Sequence, residues 1–143
     1  MAAFRIDVRD TLVPDEVAAI EERLYQFNVS ATGIADGREL GIFAHDDAGA
    51  LAGALIGTTW GGCCEIRIVW VAEAERRRGL GRTLVEAAER EARARGCVQV
   101  VLHTHDFQAP DFYRRLGYDV IGEIPDYPRG HSNLALLKPL DPR

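Results

Sequence analysis

The chain has 143 residues, 47% of them hydrophobic and 27% charged, the size and balance of one ordinary globular domain. A chain of this length buries about two thirds of its unfolded surface, so it needs neither a metal nor a disulfide to fold. A net charge of −5 argues against a general nucleic-acid or anionic-membrane binder, and no apolar stretch approaches the roughly 20 residues of a membrane span.

Met1 to Asp10 lacks the uninterrupted apolar core of a signal peptide, so a cytoplasmic location is the expectation. Cys63 and Cys64 are adjacent and Cys97 stands alone. That spacing suits neither a disulfide framework nor a zinc site, and no metal is expected. The three read as small buried hydrophobes. No repeat, low-complexity tract or linker interrupts the sequence, and residues 1–143 read as a single domain.

Phe4 to Arg9 alternates with period two and predicts a first strand. Pro14-Asp15-Glu16 is a helix start, and Val17, Ile20, Leu24 and Phe27 recur at helical spacing to about Asn28. Residues 29–38 read as a loop or a second short helix. Strands follow at Leu40–Ala44, Ala50–Trp60 and Glu65–Val71, joined by turns at residues 46–49 and at Gly61-Gly62. A long helix spans Gly79–Arg95, with Leu80, Leu84, Ala87, Ala88 and Ala92 inward and Gly96 as its left-handed cap. Glu86/Arg90, Glu89/Arg93 and Glu91/Arg95 are spaced to pair along it. Val98–His103 is a strand, Pro110–Leu116 a short helix, and Tyr118–Ile124 and Ser132–Lys138 close the chain as strands. An antiparallel meander followed by strand–helix–strand gives an α/β fold with a central mixed sheet.

One spot on this acidic chain is basic. Arg76-Arg77-Arg78-Gly79-Leu80-Gly81-Arg82 stands between a strand and a helix. Arginines at a helix start oppose the helix dipole, which points to an anionic ligand instead. Glycines there let ligand oxygens reach the free N–H groups. The loop lacks the Gly-Lys-Ser/Thr of a P-loop, and its second glycine is followed by Arg82-Thr83-Leu84, so the dinucleotide pattern GxGxxG fails too.

Arg76-x-x-Gly79-x-Gly81 resembles the (Gln/Arg)-x-x-Gly-x-(Gly/Ala) loop of the GNAT superfamily of N-acetyltransferases. Ile66–Val71 is similar to that family's fourth strand. Ala109-x-x-Phe112-Tyr113-x-x-x-Gly117-Tyr118 is similar to its Ala-x-x-(Phe/Leu)-Tyr-x-x-x-Gly-(Phe/Tyr) helix. The match is close over residues 65–124 and extends to residues 1–64 in element order only. Two departures stand out. Glu73 occupies a position where a proline is common, and Asp106-Phe107-Gln108 a position where an asparagine is common.

The resemblance implies a mostly antiparallel mixed sheet of six to seven strands flanked by about four helices, with the fourth and fifth strands splayed. It implies acetyl-CoA as co-substrate. The pantetheine arm would pair with the backbone of Val69–Trp70–Val71, and the pyrophosphate would rest on N–H groups from Arg77 to Arg82. Arg76, Arg77, Arg78, Leu80 and the two glycines would complete the cofactor site. Tyr113 would protonate the leaving thiolate.

Glu65 is the leading base candidate, because some family members carry a catalytic glutamate on this strand. By period two it shares a face with Arg67 and Val69, unless a bulge shifts the parity. His105 competes for the role, since it follows the strand lining the cleft and imidazoles titrate near neutral pH. The register of His103 is open. Acceptor contacts are expected from Asn28, Trp60 and Tyr127, with Tyr25, Trp70 and His131 as further candidates. The function implied is acetyl transfer to a primary amine of a small molecule, and the acidic charge favours a cationic acceptor. A protein or peptide acceptor and a non-catalytic acyl-CoA module are the alternatives, and Tyr113 in its motif favours an enzyme. Exposed C-terminal strands are compatible with a homodimer.

Overall fold

The computed structural model describes residues 3–141, which fall into two compact units, one ending at Ala35 and one beginning at Asp36. In the first, the predicted strand at Phe4–Arg9 is not formed. Residues 3–9 are irregular, and Phe4, Ile6 and Val8 are exposed. Alternation supplies a strand with faces, but only pairing makes it a strand, and these residues join no ladder. Helix α1 (Pro14–Thr32) starts where predicted and runs past Asn28, taking up part of the segment read as a loop. Gly33, at φ +74°, ends it by donating its N–H to the Val29 carbonyl at 2.7 Å. Arg9 holds both carboxylate oxygens of Glu16 at 3.0 Å. The stripe Ile20, Leu24 and Phe27 is exposed.

The second unit contains β1 (Arg38–His45), β2 (Leu51–Trp60), β3 (Cys63–Val71), α2 (Leu80–Ala94), β4 (Gln99–His105), α3 (Pro110–Arg115), β5 (Asp119–Pro125) and β6 (Ser132–Pro139). One six-stranded sheet runs β1-β2-β3-β4-β6-β5, antiparallel throughout except for the parallel pair β3–β4. Three α-helices and one short 3-10 turn, Glu73–Glu75, are present among the described residues, where about four helices were expected.

The core lies where α2 packs on the sheet. Leu84, Val85, Ala88 and Ala92 of α2 meet Leu40, Leu55, Cys64, Ile66, Val100, Leu102 and Leu136. Val85 is fully buried and Ala87 only partly, a small rotation from the predicted face. Cys64 and Cys97 are buried and all three cysteines are free thiols. Burial pushes the Cys64 thiol up to about 12, which makes it a packing group rather than a nucleophile.

Of the three predicted ion pairs along α2, only Glu91–Arg95 forms, at 3.0 Å. Glu86 bonds to Arg82 instead. Glu89 turns inward and is 4% exposed, accepting from the Tyr118 hydroxyl at 2.7 Å and the Lys138 ammonium at 3.0 Å. A buried carboxylate needs such donors, and a solvent-facing partnership with Arg93 could not supply them. This trio ties α2 to the start of β5 and to β6. Removing it in Glu89→Ala leaves a half-buried ammonium and a buried hydroxyl unpaired. The expected loss is about 3 kcal/mol in chemical denaturation, against about 1 kcal/mol for Tyr118→Phe.

Candidate active site

The site is set by how β3 and β4 separate. They pair in parallel from Cys63 and Gln99 to Ile66 and Leu102, and no further. Beyond that point β4 stays bonded to β6, while β3 stays bonded to β2. At the same place β3 carries a bulge. Ile56 pairs with Ile68 and the next residue, Gly57, pairs with Ile66, so Arg67 has no counterpart on β2. Gly57 permits the close approach, since a Cβ there would lie 2.3 Å from the Glu65 carbonyl oxygen.

The bulge reverses the parity of the strand. Cys64 and Ile66 face the core, and so do Val69 and Val71, whereas Ile68 and Trp70 are exposed. The expectation that Glu65 shares a face with Val69 is therefore corrected, since Glu65 lies on the side of Ile68 and Trp70.

Two cavities flank the parting strands. The first, of about 490 Å³, is lined by Val69, Val71, Glu75, Arg76, Arg77, Gly79, Leu80, Gly81, Arg82, Ala109, Phe112 and Tyr113. The second, of about 410 Å³, is lined by Ile66, Arg67, Ile68, Val69, Leu102, His103, His105, Gln108, Ala109, Tyr113 and Asn133. Val69, Ala109 and Tyr113 belong to both, so the cavities meet at the Tyr113 side chain.

The arginine loop shapes the first cavity. Gly79 caps α2 at φ +82°, and Arg77 is also left-handed at φ +65°. The first intrahelical bond is Thr83 N–H to the Gly79 carbonyl at 3.1 Å. The N–H groups of Leu80, Gly81 and Arg82 precede it and carry the positive end of the helix dipole. A Cβ on Gly79 would point into open space.

The arginine side chains differ in their engagements. Arg76 Nε donates to the Val71 carbonyl at 3.2 Å, Arg78 pairs with Glu75 at 2.9 Å, and Arg82 pairs with Glu86. The Val71 carbonyl, expected to face a ligand, is thus occupied by Arg76. Arg78 and Trp70 line neither cavity.

Tyr113 is held by the short helix α3. Its ring packs edge-on against Phe112 at 5.0 Å and Tyr118 at 5.8 Å, and it is 8% exposed. Burial holds the phenol above its ordinary range, so it stays protonated at neutral pH and remains a donor. Gln108, in place of the expected asparagine, uses its side-chain oxygen to accept from the His105 N–H at 2.8 Å.

The other predicted site residues scatter. Glu65 is exposed, pairs with Val101 one step before the strands part, and does not line the second cavity. Trp60 lines a separate cavity of about 110 Å³ with Asp36, Arg38 and Arg95. Asn28 lies on α1. Tyr127 stacks edge-on against His105 at 5.1 Å and accepts from the His105 Nδ1–H through its carbonyl at 3.0 Å, but it does not itself line the second cavity. Sequence reasoning missed two polar pairs, His103–Asn133 at 3.0 Å and His131–Asp106 at 2.9 Å. The even spacing of His103 and His105 was the one signal for the first, and it needed the strand's register to be read.

A family model for the acetyltransferase (GNAT) family matches residues 3–118. Blasticidin-S acetyltransferase of Streptomyces morookaense is 38% identical over 113 residues, covering 76% of this chain and 83% of its own. The crystal structure of an acetyltransferase from Bacillus cereus superposes with a TM-score of 0.78 at 28% identity, covering 94% of this chain and 98% of that one. Nourseothricin acetyltransferase gives a TM-score of 0.65 at 29% identity over 74% of this chain and 66% of its own. The chain belongs to the GNAT family and is an N-acetyltransferase.

The two cavities also yield a packing test. A Cβ on Gly81 would lie 3.3 Å from Phe112, where α2 meets α3. Gly81→Val is expected to displace Phe112 and cost about 1–3 kcal/mol by overpacking, read as a lower urea midpoint.

Proposed function

We propose that the protein transfers an acetyl group from acetyl-CoA to a primary amine of a small molecule, by direct attack within a ternary complex. The observation that supports this most is the meeting of the two cavities at Tyr113. One cavity has the glycines, free N–H groups and cations that suit a diphosphate and an apolar inner wall that suits a pantetheine arm. The other has the histidines and amides that suit a polar acceptor. The residues fit acetyl-CoA, which supplies an activated acyl group as its thioester.

In this reading the N–H groups of Leu80, Gly81 and Arg82, with Arg77 beside them, hold the diphosphate. The backbone of Val69 orients the arm, and Val71 joins it once Arg76 releases its carbonyl. The acceptor nitrogen enters through the second cavity and attacks the thioester carbon. The new C–N bond forms as the C–S bond breaks, and the proton of Tyr113 passes to the departing sulfur. A thiolate left without a donor in a partly desolvated cleft is costly, which is the physical case for Tyr113. Glu65 lies outside both cavities and takes no direct part in the transfer.

The small-molecule reading draws on relatives whose names specify blasticidin-S and nourseothricin as acceptors. It also draws on the second cavity, whose volume of about 410 Å³ falls within the range of small-molecule sites. The net charge of −5 favours a cationic amine.

The test is thiol release from acetyl-CoA across a panel of small amines, including nucleoside and amino-sugar antibiotics, with lysine peptides as the contrasting arm. Turnover confined to the peptides would overturn the acceptor class. With any accepted amine, Tyr113→Phe should lower kcat about 10- to 1000-fold and leave the acetyl-CoA KM nearly unchanged, because the bond strengthens only as charge develops on sulfur. Wild-type kcat in that variant would make Tyr113 structural.

A further inference from the structure

We infer that His103 is the base that removes the acceptor amine's proton, with Asn133 fixing the imidazole tautomer that makes it one. The inference rests on the acetyl-transfer reading above and identifies the proton acceptor that reading lacks at the reacting end of the site.

The first ground is position. Strands β3 and β4 stop pairing at Ile66 and Leu102, so His103 is the first residue of β4 beyond the point of parting. It lines the same cavity as Tyr113, which contributes from the core side of the sheet. The base and the acid thus line one opening, where each can reach its own atom, the nitrogen or the sulfur. His103 is exposed to that cavity, not packed away.

The second ground is hydrogen bonding. Nδ1 of His103 lies 3.0 Å from Oδ1 of Asn133. An amide oxygen only accepts, so Nδ1 carries the hydrogen and Nε2 keeps its lone pair. Asn133 is 7% exposed and sits on β6 directly opposite His105 in the β4–β6 register. Its backbone is held in the β4–β6 ladder, and its side chain holds the ring.

The competitors are less well placed. His105 also donates through Nδ1, to the Tyr127 carbonyl, but its ring is stacked on Phe107 at 5.3 Å and abutted edge-on by Tyr127. Covered on these sides, it serves as part of the acceptor wall. Glu65 is one pair too early on β3. The charged or titratable groups facing His103 are Arg67 of β3, His105 of β4 and Tyr113 of α3, with Glu65 next along β3 on the exposed face.

The proton balance closes without any further reactant. The attacking amine loses one proton to His103 Nε2, and the sulfur gains one from Tyr113. Solvent then takes the proton from the imidazolium and restores the phenol.

The experiment compares His103→Ala, His103→Gln, His105→Gln and Glu65→Gln in the acetyl-CoA assay, after wild-type turnover has been measured. His103→Gln should lower kcat about 100-fold or more at neutral pH and lose the acid limb of the pH–rate profile, with the acetyl-CoA KM unchanged. Added imidazole should restore part of the His103→Ala rate. Glu65→Gln and His105→Gln should keep the wild-type acid limb. His103→Gln with wild-type kcat and pH profile would overturn the inference while leaving the acetyl-transfer reading intact, and so would failure of imidazole to rescue His103→Ala. A wild-type protein that releases no thiol with any amine would instead overturn the reading itself. A readout independent of turnover is the nitrogen NMR signature of the ring. Wild type should show His103 protonated at Nδ1 above neutral pH, and Asn133→Leu should lose that preference. The opposite tautomer in wild type would contradict the inference.

Discussion

The structure turns on a hydrogen-bond ladder that stops. Parallel strands β3 and β4 share bonds only as far as Ile66 and Leu102, while each keeps its own antiparallel neighbour beyond that point. A buried backbone group must find a partner somewhere. Parted strands in the middle of a sheet therefore make an opening whose edges are already polar, and an extended ligand arm can satisfy them as a strand would. The bulge at Arg67 works with the parting. It turns Val69 and Val71 toward the core and the cavities while Glu65 stays on the opposite side.

The chemistry follows from what the elements bring to that opening. Helix α2 presents its N-terminus and α3 presents Tyr113, while β4 presents His103 and His105. The two helices are anchored by different forces. α2 is held by apolar packing and by the buried Glu89 between Tyr118 and Lys138. α3 is a helix of 6 residues held mainly by its aromatic contacts. The arginine loop is balanced rather than uniformly basic. Arg78 and Arg82 have acidic partners, and Arg76, Arg77 and Arg82 line the first cavity.

Much of this could be read from the residues alone. The hairpin glycines, the α2 amphipathicity and the strand–loop–helix punctuation placed β1 through α2 within a few residues. The loop and the Ala109–Tyr118 block pointed to the family. Four things were not legible, each for a physical reason. Phe4–Arg9 has strand periodicity, but periodicity carries no information about a pairing partner. The bulge depends on β2 as much as on β3, so the parity of Glu65 could not be read from β3 alone. Glu89 sits at a spacing that suits a surface pair with Arg93, and only the tertiary approach of Tyr118 and Lys138 turns it inward. His103 was undecidable for the same reason as Glu65, because its face depends on the strand's register.

The measurement that bears most directly on the central claim is a crystal structure of the protein soaked with coenzyme A. The diphosphate is expected on the N–H groups of Leu80, Gly81 and Arg82, the arm between β3 and β4, and the sulfur within hydrogen-bonding reach of the Tyr113 hydroxyl. A coenzyme bound elsewhere, or bound at the loop with its sulfur remote from Tyr113, would contradict it.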